Sequence, residues 1–146
     1  MIRPLAFLAF LAPAPLLAQA AAPAPDTAGV RAAVEHYLQG HATGEGRHFQ
    51  MVFHPVSMLF FTDNGQFRSR TGVEYVAGAP GKPADDEAQR KRRIVFVDAD
   101  GDAGVAKVEL DYPQVRFADY FTLLKIDGQW KIMNKIFSRH PKPTQE

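Results

Sequence analysis

The chain has no cysteine among its 146 residues, which excludes disulfides and leaves the fold to be held by its own core. It also has no Gly-x-Ser-x-Gly elbow and no phosphate-binding loop, so serine-type and nucleotide hydrolysis are without support. Basic residues are nowhere massed except in RKRR at 90–93. Four charges at a strand entrance read as a solvated edge, so no nucleic-acid partner is expected. No spacing of His, Asp and Glu reads as a transition-metal site, and no cofactor is expected. DADGDAGVAKVE puts Asp98, Asp100, Asp102 and Glu109 at calcium-loop positions 1, 3, 5 and 12. Position 6, however, is Ala103 where the loop needs Gly, and the flanks are β-rich, so the segment is read as a hairpin turn.

What is present begins with an address. MIRPLAFLAFLAPAPLLAQA carries an early Arg3, an apolar run too short to span a bilayer comfortably, and Ala18-Gln19-Ala20 at its end. It reads as a bacterial signal peptide over 1–20 cleaved after Ala20, which predicts a periplasmic or secreted protein without membrane insertion after processing. Cleavage removes one basic residue, Arg3, so 17 basic residues become 16 against 16 acidic ones and the formal charge is zero. Residues 21–27 read as a disordered spacer, 28–139 as one domain and 140–146 as a flexible tail.

A first helix is expected from Asp26 or Thr27, with Val30, Val34, Tyr37 and Leu38 on one face and Gly40 as its stop. A second is expected over about 45–53, ending at His54-Pro55. SMLFFT and QFRSR flank Asp63-Asn64-Gly65 as a hairpin. Thr71 and Glu74 have capping-box spacing for a short third helix. GAPGKPADDEAQ reads as a mobile loop. Four strands follow, giving the order ααββαββββ and an α+β domain.

The last hairpin, FADYFTLLKIDGQWKIMNKIF at 117–137, turns at Asp127-Gly128. In the plain register Phe121 opposes Asn134 and Asp119 opposes Ile136. One face then carries Phe117, Asp119, Phe121, Leu123, Trp130, Ile132, Asn134 and Ile136. The other carries Tyr120, Thr122, Met133 and Phe137 among others. A carboxylate and an amide on the more apolar face demand an explanation.

Together with RAAVEHYLQGHATG, FHP and RTGVEYV, this hairpin resembles the nuclear transport factor 2-like superfamily, and within it the lumazine-binding-like branch of small bacterial domains. The resemblance implies a strongly curved antiparallel or mixed sheet wrapped into a cone and closed by the N-terminal helices. It implies a cavity lined by the face bearing Asp119 and Asn134, and a homodimer through the sheet. Superfamily members include isomerases, dehydratases, cyclases and binding or scaffold domains.

On this reading Tyr37, His54, Phe117, Asp119, Phe121, Trp130, Ile132 and Asn134 are the candidate ligand-binding residues, with a small apolar or aromatic molecule as partner. Burying Asp119 unpaired would disfavour its charged form, the condition of a general base. Asp119 and His54 are therefore the catalytic candidates if the protein is a small lyase or isomerase, cofactor-independent in either case. A cavity with a single proposed carboxylate favours an exported binding domain, with an interaction scaffold as a further alternative.

Overall fold

A computed structural model describes residues 24–143. The signal peptide read over 1–20 lies outside the described residues, as do 21–23 of the spacer and 144–146 of the tail. Helix α1 (Thr27–Thr43) starts where the Asp26 side chain accepts the Gly29 N–H at 2.9 Å. It does not stop at Gly40: it runs one turn further and ends at Gly44, whose φ of 71° is the left-handed cap that glycine adopts cheaply. Gly40 is buried in mid-helix, where a Cβ would lie 2.5 Å from the Phe49 ring, so its smallness serves packing of α1 on α2 (Gly46–Val52).

Strands β1 (Phe53–Asp63) and β2 (Gln66–Thr71) form the first hairpin, and β5 (Val115–Ile126) and β6 (Gln129–Pro141) the last. Both turns are two residues long with positive φ at each position: Asn64-Gly65 and Asp127-Gly128. The Thr71–Glu74 capping box opens α3 (Gly72–Ala77) as its spacing predicts. Strands β3 (Lys91–Asp100) and β4 (Ala103–Asp111) meet at Gly101-Asp102, the hairpin turn expected in place of a calcium loop. Among the described residues no cluster of His, Asp and Glu could hold a metal ion.

The sheet order is β2-β1-β6-β5-β4-β3. Every pairing is antiparallel except β1 with β6, which run parallel and sew the first hairpin to the last strand. The sheet is curved and mixed, as the resemblance implied. Helix α1 lies against β3, β4 and β6 and α3 against β1. Val30, Val34 and Tyr37 of α1 thereby bury against Leu59, Val108, Leu110, Phe121, Leu123 and Ile132, each aliphatic side chain contributing about 1.5–3 kcal/mol of transfer free energy. No helix among the described residues is long and apolar enough to cross a membrane.

The loop read as mobile is pinned at several points. Gly81 N–H donates to the Gly44 carbonyl at 2.8 Å, and Glu87, in a short 3-10 turn over Glu87–Gln89, holds Arg92 through both carboxylate oxygens. Charge and proline in that segment mark its path over the surface and not its freedom.

Candidate functional site

The register of the last hairpin departs from the one its turn predicts. Pairing runs as expected from Ile126–Gln129 to Leu123–Ile132, and then β6 carries one extra residue, Met133, before Thr122 pairs with Asn134. This bulge reverses the alternation beyond it. Phe121 therefore opposes Lys135, not Asn134, and Asp119 opposes Phe137, not Ile136. Asn134 is exposed, its amide 3.5 Å from the Thr122 hydroxyl, and Ile136 is exposed beside it on the outer face. Lys135 and Phe137 turn inward in their place.

Asp119 is fully buried and has a partner that sequence reasoning missed. Lys135 Nζ lies 2.9 Å from Asp119 Oδ2, with side-chain exposures of 6% and 0%. Tyr37, from α1, donates its hydroxyl to the same oxygen at 2.5 Å and accepts from Lys135 at 2.7 Å. The ammonium is further enclosed by three rings, Phe137, Tyr75 and Tyr37, at 4.8, 5.0 and 5.1 Å from its nitrogen. Asp119 Oδ1 meets no donor among the described residues.

A chain of hydrogen bonds leads away from this pair. Tyr75 OH lies 3.3 Å from Tyr37 OH and 2.8 Å from His41 Nε2, and Tyr112 OH lies 3.3 Å from His41 Nδ1 and 3.3 Å from Arg92 Nε. Arg92 can only donate and a carboxylate can only accept, so the two ends set the direction of every link. Arg92 donates to Tyr112, Tyr112 to His41 Nδ1, His41 Nε2–H to Tyr75, Tyr75 to Tyr37 and Tyr37 to Asp119. Burial, and then the charges of Lys135, Arg92 and Arg90, hold His41 well below its ordinary pKa, so it is the neutral ring this arrangement requires. Burial first, and Asp119 next, push the Tyr37 phenol well above its ordinary value, and burial also raises Tyr75.

The network opens on a cavity of about 180 Å³ lined by Leu59, Phe61, Leu110, Phe117 and Phe137, with Arg70, Tyr75, His41 and Lys135 as its polar groups. A second cleft of about 270 Å³, bounded by Pro80, Lys82, Ala84, Arg90 and Tyr112, shares His41, Arg70 and Tyr75 with the first.

Of the sequence candidates, the structure brings Tyr37, Phe117, Asp119 and Phe121 to this region, Phe121 with its ring 4.8 Å from that of Tyr37. Ile132 is core. Trp130 stands at the other end of α1, its indole donating to Asp26 Oδ2 at 2.9 Å. His54 lies near the start of β1, where its Nδ1 accepts the Val56 N–H at 3.3 Å. Lys135, His41, Tyr75 and Arg70 were missed. A lysine flanked by Ile132, Met133, Ile136 and Phe137 was a visible signal for the first of them; the others come from three separate elements.

The family model described as "Putative lumazine-binding" matches residues 25–138. Solved structures similar to the chain include an NTF2-like protein from Shewanella baltica OS155, with TM-score 0.70 and 22% identity over 79% of this chain and 94% of that one. Another is an NTF2-like protein from Methylobacillus flagellatus KT, with TM-score 0.67 and 27% identity over 79% and 92% of the two chains. Among curated proteins, aldolase FrzH of Cladobotryum sp. is 21% identical over 106 residues, 73% of this chain and 85% of that protein.

Proposed function

Since the chain belongs to the putative lumazine-binding family, whose model covers residues 25–138, we propose that it is a small-molecule-binding domain. Its ligand is a planar ring bearing an anionic or carbonyl oxygen. The observation that carries this is a lysine, with only 6% of its side chain exposed, lining a cavity whose apolar walls are Leu59, Phe61, Leu110, Phe117 and Phe137. Two of its three donors are engaged by Asp119 and Tyr37, which leaves one for a ligand oxygen. Arg70 adds a second cation from β2, the strand beyond β1.

Size decides the ligand class further. A cavity of about 180 Å³ is close to the roughly 150 Å³ that takes up a benzene molecule. One ring fits there, and a second fused ring would extend past Tyr75 into the adjoining cleft. Asp119 is shut behind Lys135 and Tyr37 and does not line the cavity, which supports binding over direct proton abstraction by this carboxylate. The likeness to an aldolase favours a second reading, in which Lys135 and Arg70 stabilise the oxygen of an enolate during carbon–carbon bond chemistry.

Mass spectrometry of small molecules released on denaturing the purified protein tests the first reading, together with calorimetric titration of benzoate. A bound one- or two-ring acid or carbonyl compound is expected, and benzoate binding that is lost in Lys135→Met and kept in Asn134→Ala. Benzoate binding indifferent to Lys135 would end this assignment.

A further inference from the structure

Resting on that binding reading, we infer that Lys135 captures aldehydes and ketones covalently, as a protonated imine. The site holds each group this step needs. Lys135 lines a cavity that fits one ring and its carbonyl, and its nitrogen has Asp119 Oδ2 at 2.9 Å and Tyr37 OH at 2.7 Å. Asp119 takes one proton from the ammonium, with its unengaged oxygen Oδ1 as the spare acceptor, and frees the nitrogen lone pair.

The lone pair attacks the carbonyl carbon, forming the C–N bond as the carbonyl π electrons move to oxygen. The proton on nitrogen then moves to the adjacent oxygen of the same adduct, giving a carbinolamine. Once Asp119 holds a proton, the Tyr37 and Tyr75 hydroxyls can turn to carry it outward; through them Asp119 returns its proton to the carbinolamine hydroxyl, the C–O bond breaks, water leaves and the C=N bond forms. One ammonium and one carbonyl become one iminium and one water, with no oxidant or reductant.

The charge accounting favours the product. An iminium carries the same single positive charge on the same nitrogen, so the Asp119 ion pair survives the reaction. The three rings within 5.1 Å of that nitrogen stabilise the planar cation as they do the ammonium. A neutral imine would give up that charge and leave Asp119 buried without its partner; the iminium exchanges like for like. The apolar walls shield the C=N bond from the water that would hydrolyse it.

The experiment uses benzaldehyde as probe, with cyanoborohydride to fix any imine as a benzyl amine, followed by peptide mapping of the intact protein. Benzoate titration is run in parallel. Lys135 is expected to be benzylated at least about tenfold faster than the exposed Lys82 or Lys125, because binding holds the carbonyl at the nitrogen. Asn134→Ala, on the outer face, should keep both benzoate binding and the fast labelling of Lys135, and Lys135→Met should lose both. Benzoate binding with benzyl groups confined to exposed lysines would overturn imine capture and leave the binding reading intact. Absence of benzoate binding would overturn both.

Discussion

Replacing Lys135 by Met removes an ammonium and leaves a fully buried carboxylate with Tyr37 as its one remaining donor. At 2.9 Å the gross attraction between the two charges is about 6 kcal/mol at an effective dielectric constant of about 20. Much of that offsets the cost of taking both groups out of water, and the net loss on breaking such a pair is about 3–5 kcal/mol. For a domain of this size that corresponds to a fall in Tm of about 10–20 °C. Asp119→Asn should cost less, about 1–3 kcal/mol, because the amide oxygen still accepts from Tyr37 and the aromatic cage still surrounds the ammonium. The double variant removes both charges together and should be more stable than Lys135→Met alone. Urea denaturation of the four proteins at pH 7 gives the coupling energy directly. Losses that simply add would mean that the two charges do not interact and would remove the physical basis of the site.

His41 supplies a pH test: its folded-state pKa lies well below the ordinary 6.5, so below about pH 6.5 the unfolded chain binds a proton the folded one refuses. Stability should fall as pH drops from 7 to 5, by up to about 1.4 kcal/mol per pH unit from this group, and His41→Gln should flatten that part of the curve; parallel curves for the two proteins would refute it. The outer sheet face, with exposed Phe96, Val105, Tyr120, Leu124 and Ile136, is proposed as a homodimer interface. Light scattering should give about twice the monomer mass for the parent and the monomer mass for Ile136→Lys, whereas Phe137, first expected on that face, belongs to the cavity. Export is proposed to end in cleavage after Ala20, so N-terminal sequencing of the periplasmic protein should begin at Ala21, and a retained leader in the membrane fraction would contradict it.

The parts of this fold that obey local rules were legible in the sequence. Asn64-Gly65, Asp127-Gly128 and the Thr71–Glu74 box each act within four residues, and each appears where its chemistry puts it. Asp119 could be recognised as a buried carboxylate because its half of the hairpin alternates without interruption. Asn134 could not be judged, because whether it points in or out depends on a single extra residue, Met133, and no turn signal marks that bulge. Opposite it, residues 54–57 of β1 break the parallel pairing between Phe53–Ile132 and Met58–Asn134. The bulge thus belongs to a contact between strands far apart in the chain. Gly40 misled for a related reason: its role is to admit the Phe49 ring, which is a demand of helix packing and not of helix termination.

The parallel seam between β1 and β6 also governs when the molecule can become itself. Tyr37 and Lys135 are 98 positions apart, and β1 has no central neighbour until β6 arrives to pair Leu59 with Lys135. As the chain emerges from its N-terminus, the first hairpin and the helices must wait, with one long strand edge unsatisfied, until residues 132–137 are available. Loop closure over such a span is slow, and an open edge invites pairing with another copy. The strand that delivers the ammonium to its carboxylate is therefore also the strand that shuts the edge, so any nascent chain in which the Asp119–Lys135 pair has formed has already left its aggregation-prone stage behind.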